Sequence, residues 1–505
     1  MLMEEHLSTM EQFVRTQEEV MAAYLAARQG TPRPAAASQR FRFPFFNEIV
    51  EVVSGERAVA RHHFSAGREI IFHDHALGRD VSTEDPSLLG LTLVPLTVTM
   101  EMLAEAGALL QPDKLLVGMR DIRAARWITL EKPDYTIEAT IRQSGPGEVH
   151  VALREAGGAP SGPGMLRPIL AEAVAVFGDR YPDPGPPRPF VLENEKRSSW
   201  TSEQLYRTGM FHGSLMQGAK SVERAGRNGT SATLEALPHT GLFAGDPQPN
   251  FLFDPVLLDA AGQVVAYWFW EAIEKGTDLF PYRVGGFHCY APAPPTGTLL
   301  ECRVVRRFES DKVIHSDIEV LDRAGKVYYR LDNWETRRFP QPPRFLRLRI
   351  DPRATYISTP WKEPIAGVTG KQRLTCCRVD DLPQEFLESS HGVWLKTLAY
   401  LVLSRRERAV WDNLQLPARE RYEWLLGRCA AKDAVRMLVH EHFGQQLCAA
   451  DVEIVPDVSG RLVVEGGWKQ RLAVNPVVAV ANVGGVSGAV AALDAAELVG
   501  IEVAV

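Results

Sequence analysis

The stretch Asp254-Pro255-Val256-Leu257-Leu258-Asp259-Ala260-Ala261-Gly262-Gln263 opens an apolar pattern that continues to Ile273, a length and periodicity that predict one buried helix. Aspartate followed by proline is a good helix start, because the carboxylate accepts from free first-turn amides and proline tolerates the first position. Asp259 then sits one turn in. Gln263, four residues on, shares its face and can orient its carboxyl. Leu257, Leu258, Val264 and Val265 surround that carboxyl with apolar groups, which predicts a raised pKa and a proton available for donation.

Around this helix lie strand-like runs: Leu299 to Phe308, Val313 to Leu321 and Lys326 to Leu331. The same scheme precedes it. A helical pattern from Pro95 to Leu110 is flanked by β-rich segments at Val59 to Phe64, Trp127 to Leu130, Tyr135 to Arg142 and Glu148 to Leu153. Between the two, Pro182-Asp183-Pro184-Gly185-Pro186-Pro187-Arg188-Pro189 reads as an extended linker. A long helix wrapped by an antiparallel sheet, written twice, predicts an α+β tandem (double) hot-dog. The expected divisions are a linker helix in 1–39, one hot-dog in 40–186, a second in 187–340, a linker in 341–375 and a small α/β lobe in 376–505. In the first of these, Leu7, Met10, Val14, Met21 and Tyr24 form a short heptad-like stripe, which suits a linker helix packing on a neighbour, with a homodimer contact as the alternative.

Composition narrows the function class. The 505 residues carry 56 Lys+Arg against 63 Asp+Glu, a net charge of −7, so no global basic field recruits nucleic acid. The six cysteines show no C-x-x-C spacing, which argues against a disulfide framework or a thiolate metal site. The start Met1-Leu2-Met3-Glu4-Glu5-His6 is acidic where a secretory signal is basic, and no apolar run reaches membrane-span length. A soluble cytoplasmic protein is expected, with no membrane partner.

The residues that carry chemistry are His75, in Phe72-His73-Asp74-His75-Ala76-Leu77-Gly78, and Asp259. Each lies at or just before the start of one long helix. A histidine and a carboxylic acid from two similar halves form an acid–base pair. His73 and His75 are expected on one strand face, with His62-His63 close in sequence. No carboxylate stands at ligand spacing to them, so no metal is expected.

Asp74-His75-Ala76-Leu77 followed by Gly90-Leu91-Thr92-Leu93-Val94-Pro95 resembles a split H-x-x-x-G-x-x-x-x-P signature of dehydratase domains from polyketide synthases and polyunsaturated fatty acid synthases. The insertion between His75 and Gly90 carries Ser82-Thr83-Glu84-Asp85-Pro86-Ser87. Leu205-Tyr206 and Phe211-His212-Gly213-Ser214-Leu215-Met216-Gln217-Gly218 resemble the family's F-H-G-P-x-F-Q-G strand, with Ser214 for proline and Met216 for phenylalanine. Leu257-Leu258-Asp259-Ala260-Ala261-Gly262-Gln263 resembles its acid helix. The resemblance spans about 40–340 and implies a dehydratase acting on 3-hydroxyacyl thioesters carried on the phosphopantetheine of acyl carrier protein, beside other synthase domains and without a further cofactor. It implies His75 as base and Asp259 as acid. Gly90, Pro95, Tyr206, His212, Gly213, Gln217 and Gln263 are then expected at the substrate, and backbone amides near Gly90 and at the first helix start would stabilise an oxyanion. A double-bond isomerase on the same fold and a non-catalytic carrier-protein scaffold are the alternatives.

Arg421-Tyr422-Glu423-Trp424-Leu425-Leu426-Gly427-Arg428 through Arg436 resembles the first helix of phosphopantetheinyl transferase domains, and Gly500-Ile501-Glu502-Val503-Ala504 resembles their metal motif. That motif's second carboxylate is here Ala504, and the family's S-H pair corresponds to Ala481-Asn482. Half an inactive transferase is expected, with an apolar face that packs on the preceding unit, dimerises or aggregates.

Overall fold

Two buried helices organise the chain up to Pro340. The structure is a computed structural model that describes residues 43–131, 135–157, 167–273, 276–365 and 373–493. The expected helix at Leu7–Leu25 and the Gly500–Ala504 motif lie outside the described residues. Helix α1 is Leu96–Ala108 and helix α2 is Pro255–Ala272. Asp254 accepts from the amides of Val256 at 3.0 Å and Leu257 at 2.9 Å, which satisfies two donors that a helix start leaves free. Every residue of α1 is buried, so it must be wrapped and not laid on a surface.

The wrapping comes from one antiparallel sheet, thirteen-stranded among the described residues. Its first half runs from the edge strand Glu48–Val53 through Arg57–Phe64 to Leu115–Ala124 and covers α1. Its second half runs from Thr277–Cys289 through Val327–Pro340, Val313–Leu321 and Leu299–Glu309 to the edge at Lys196–Arg197 and covers α2. The two helices pack on each other. Leu115–Ala124 pairs with Thr277–Cys289 at the seam, where Gly118 faces His288. A Cβ at Gly118 would stand 2.5 Å from the Phe287 carbonyl oxygen, so glycine permits the two halves to close. This mixed architecture with a large antiparallel sheet is consistent with the hot-dog expectation.

Two local expectations need correction. Trp127–Leu130 is not a strand of the sheet. Thr129 bridges to Leu93, and the amides of Val94 and Leu130 bond the carbonyls of Ile128 and Thr92, so the segment is spent on holding the entry to α1. His73 and His75 share no strand face, because Ile70–Asp74 is a 3₁₀ turn. His73 turns to the Ala66 carbonyl at 2.8 Å, and His62 is buried between Phe45 and Phe64. The proline-rich joint is extended and strapped down: the Arg330 guanidinium donates to the carbonyls of Pro184 at 2.6 Å and Pro186 at 2.9 Å.

Beyond Pro340 come α3 (Pro343–Ile350), α4 (Gln384–Val402), α5 (Arg405–Asp412) and α6 (Ala418–Phe443). Helix α6 lies on an antiparallel sheet, six-stranded among the described residues, that includes Arg373–Val379, Val486–Leu493 and Val477–Val483. The lobe does not leave its apolar face in water. Leu77, Leu88, Leu91, Leu93 and Phe280 share one core with Trp394, Leu398 and Leu401. The insertion after His75 is the polar part of this joint. Thr83 donates to Asp451 from its amide at 3.1 Å and its hydroxyl at 2.7 Å, and Ser82 donates to the same carboxylate. Glu84 accepts from the Gly467 amide at 2.7 Å and pairs with Arg471, and Asp85 accepts from Arg405 at 2.8 Å. No helix among the described residues is long and apolar enough to cross a membrane.

Candidate active site

The 3₁₀ turn Ile70–Asp74 delivers His75 to the inside of the first half, and the Leu93 amide bonds the His75 carbonyl at 3.1 Å. The ring Nδ1 lies 2.9 Å from the Leu93 carbonyl oxygen. A carbonyl only accepts, so Nδ1 carries the hydrogen and Nε2 is left with its lone pair. Phe211 and His212 pack against the ring at centroid distances of 5.2 and 5.1 Å. Burial, followed by the charge of His212, pushes the His75 pKa down to about 4 against the pull of Asp259. At neutral pH His75 is therefore an uncharged imidazole.

Asp259 approaches from α2, one turn in from its start. Its Oδ2 lies 2.8 Å from Gln263 Nε2 and 3.3 Å from His212 Nε2. Gln263 is fixed in turn, since its Oε1 accepts from the Tyr206 hydroxyl at 2.7 Å and its Nε2 also donates to the Met216 carbonyl at 3.1 Å. Tyr206 accepts from the Ala219 amide at 2.8 Å. The i, i+4 geometry read from the sequence thus holds, but the electrostatic expectation does not. Burial does pull the Asp259 pKa upward. The hydrogen bond and charge of His212, the charge of His75 and the Gln263 amide outweigh it, and the carboxyl stands below its ordinary value.

His75, His212 and Asp259 each offer one donor atom, and these lie within 4.8 Å of one another. They line one cavity of about 400 Å³, with Pro95, Gln263, Phe211 and Trp334 among its walls. The donor set is also one that could hold a metal ion. Four of the expected residues stand behind the cavity wall. Gly90 packs on the backbone of Leu77 and Gly78, where a Cβ would meet the Gly78 carbonyl oxygen at 2.5 Å. Gly213 packs against the Asp74 carboxylate, and Gln217 donates back to the His212 carbonyl at 3.0 Å. Tyr206 reaches the site only through Gln263. Near the cavity, the Leu93 and Val94 amides are spent on His75 and Ile128, whereas the first-turn amides of α1 behind Pro95 have no helical acceptor.

Several contributors were not foreseen. Arg79 donates to the Tyr206 carbonyl at 2.6 Å and holds the His212 carbonyl at 3.4 Å. Asp74 accepts from the Leu215 amide at 2.6 Å, so the residue before His75 anchors the segment that carries His212. Ser390 and His391, from the C-terminal lobe, also line the cavity. Their only sequence signal is a glycine at 392 inside a helical run.

Residues 182–345 match the family model described as polyketide synthase dehydratase N-terminal domain, a span that contains His212 and Asp259 and not His75. No curated protein matches the chain. Among solved structures, the dehydratase domain from the CurJ module of the curacin polyketide synthase is similar at 14% identity and a TM-score of 0.45, over 61% of this chain and 99% of that one. A trans-AT polyketide synthase dehydratase domain from Brevibacillus brevis is similar at 17% identity and a TM-score of 0.45, over 59% of this chain and 99% of that one.

Proposed function

We propose that the chain removes water from a 3-hydroxyacyl thioester to give a 2-enoyl thioester, the substrate being carried on the phosphopantetheine of an acyl carrier protein within a polyketide synthase. The observation that carries this reading is the free Nε2 of a neutral His75 facing a carboxyl fixed by Gln263 across one cavity. The Cα–H bond breaks with its proton going to His75 Nε2, the Cα=Cβ bond forms, and the Cβ–O bond breaks as Asp259 protonates the departing hydroxyl. Amides of the first turn of α1 face the thioester oxygen while it carries negative charge.

The low pKa of Asp259 favours a second reading of the same reaction, in which Asp259 stays a carboxylate that orients the hydroxyl and His75 returns the proton it took. The pH profile of kcat/KM separates them. If Asp259 must be protonated, the rate falls as pH rises through its pKa; if His75 serves alone, the rate is level above about pH 5. Incubation of a 3-hydroxyacyl carrier protein followed by mass measurement tests the function itself. A double-bond shift without loss of water would identify an isomerase, and no change would identify a scaffold. The C-terminal lobe, in this reading, is phosphopantetheinyl transferase-like and without transferase activity, on the grounds of Ala504 and Ala481-Asn482.

A further inference from the structure

The cavity that holds His75 and Asp259 is not built from the two sheet halves alone. Helix α4 of the C-terminal lobe is broken over Ser389–Gly392, and Ser390, His391 and Gly392 all stand in the left-handed region, with φ of 53°, 61° and 75°. Only glycine adopts that conformation without penalty, so two adjacent non-glycine residues there are strained. The break is retained at the place where Ser390 and His391 enter the cavity lining. It is also firmly held. One turn further on, Lys396 pairs with Glu131 at 2.7 Å, and Trp394 packs between Trp127 and Phe386.

The lining divides by exposure and by charge. Its buried members are Leu93, Phe280, Trp334 and similar apolar groups around the His75–Asp259 pair, whereas Arg126, Arg337 and His391 are exposed and mark the mouth. Asp259 is the sole carboxylate among the lining residues. Two arginines and a histidine thus ring the entrance of a chain whose net charge is −7. Such a rim suits an anionic group that stays in water while an apolar acyl chain goes inside.

We propose that the helix break of the C-terminal lobe completes a polar rim, the Arg126 and Arg337 guanidiniums with the His391 imidazole, that binds the phosphate of the phosphopantetheine arm while the thioester lies at His75. The proposal rests on the dehydratase reading above. The same phosphate occurs in a carrier-protein thioester and in a coenzyme A thioester, and the rim takes it from either. The lobe is then a part of the substrate site that the two sheet halves lack.

The test compares kcat/KM for one 3-hydroxyacyl group on pantetheine, on 4′-phosphopantetheine, on coenzyme A and on carrier protein, in the full chain and in His391→Gln, His391→Ala and Arg337→Gln. Each variant is judged by its own ratio of phosphorylated to unphosphorylated arm, so partial loss of folded protein cancels. The parent should favour the phosphorylated arms, and each substitution should cut the preference by about threefold to fivefold, the scale of one exposed ion pair. A parent ratio near one, or a ratio unchanged in all three variants, overturns the proposal. So does a loss confined to the coenzyme A thioester, which would place the nucleotide and not the arm at the rim. Turnover of none of the four thioesters would overturn the dehydratase reading and the rim with it, whereas turnover with a flat ratio overturns the rim alone.

Discussion

Helices α1 and α2 both bury carboxyls, and they use them in opposite ways. Glu101 of α1 accepts from the amides of Leu252 at 2.6 Å and Phe253 at 3.3 Å, and Glu105 accepts from Phe45 at 2.9 Å. Both are fully buried and lie against each other; burial drives the Glu101 pKa up to about 8, and burial followed by the charge of Glu101 drives that of Glu105 upward as well. Asp259 of α2 faces a cavity, is ringed by His212, His75 and Gln263, and is held low. A buried acid on a central helix is therefore not in itself a reactive one. What distinguishes Asp259 is an open side on the cavity and two histidine neighbours, whereas Glu101 and Glu105 fasten neighbouring loops to the helix.

The sharpest way to break this comparison is to exchange outcomes. His75→Ala and Asp259→Asn should each lower the dehydration rate about a hundredfold or more with near-parental thermal unfolding, since general acid–base groups contribute on that scale. Parental turnover in both would remove them from the chemistry. Glu101→Ala should do the reverse: about 2–4 kcal/mol of stability lost in denaturant unfolding, because the Phe253 amide, buried, and the Leu252 amide, partly buried, lose their acceptor, with activity per folded molecule retained. Tyr206→Phe lies between, acting on the site only through Gln263. The hydroxyl's bonds to Gln263 and to the Ala219 amide are both lost; loss of the first should reduce kcat about fivefold to tenfold and change the pH profile, a change that the loss of the Ala219 bond alone would not produce.

Stability should also depend on pH with two signs. The folded pKa of Glu101 lies above its ordinary 4.5, so its contribution is full below 4.5 and is lost as pH rises through about 8. His62 and His75 are pushed down to about 3 and about 4 from 6.5, so their contribution is full above 6.5 and is lost as pH falls towards 4. Thermal melts across pH 4 to 9 should fall on both sides, and Glu101→Gln should lessen the alkaline fall, Glu105 keeping its share, and leave the acid side unchanged. The smallest effect concerns metal. Although His75, His212 and Asp259 could hold an ion, the acid–base reading needs none, and dialysis against a chelator should leave the rate unchanged.

The sequence carried the two helices well, because proline caps and unbroken apolar runs are local signals: Pro95 to Leu110 against Leu96–Ala108, and Val256 to Ile273 against Pro255–Ala272. The Asp259–Gln263 contact was legible for the same reason, being one helical turn long. The pKa of Asp259 was not, because its neighbours His75 and His212 arrive from other parts of the chain. The insertion at Ser82 to Ser87 only splits a motif in the sequence, and its meaning lies in Asp451 and Arg405, more than 300 residues away. Ser390 and His391 reach the cavity by a backbone break that no periodicity announces.

The central claim is that His75 and Asp259 together dehydrate a 3-hydroxyacyl thioester. A 3-hydroxyacyl carrier protein incubated with the full chain and weighed by mass spectrometry should lose the mass of one water, and should not do so at a comparable rate with the His75→Ala, Asp259→Asn double variant. An unchanged carrier mass with the parent protein, or equal water loss with the double variant, would contradict it.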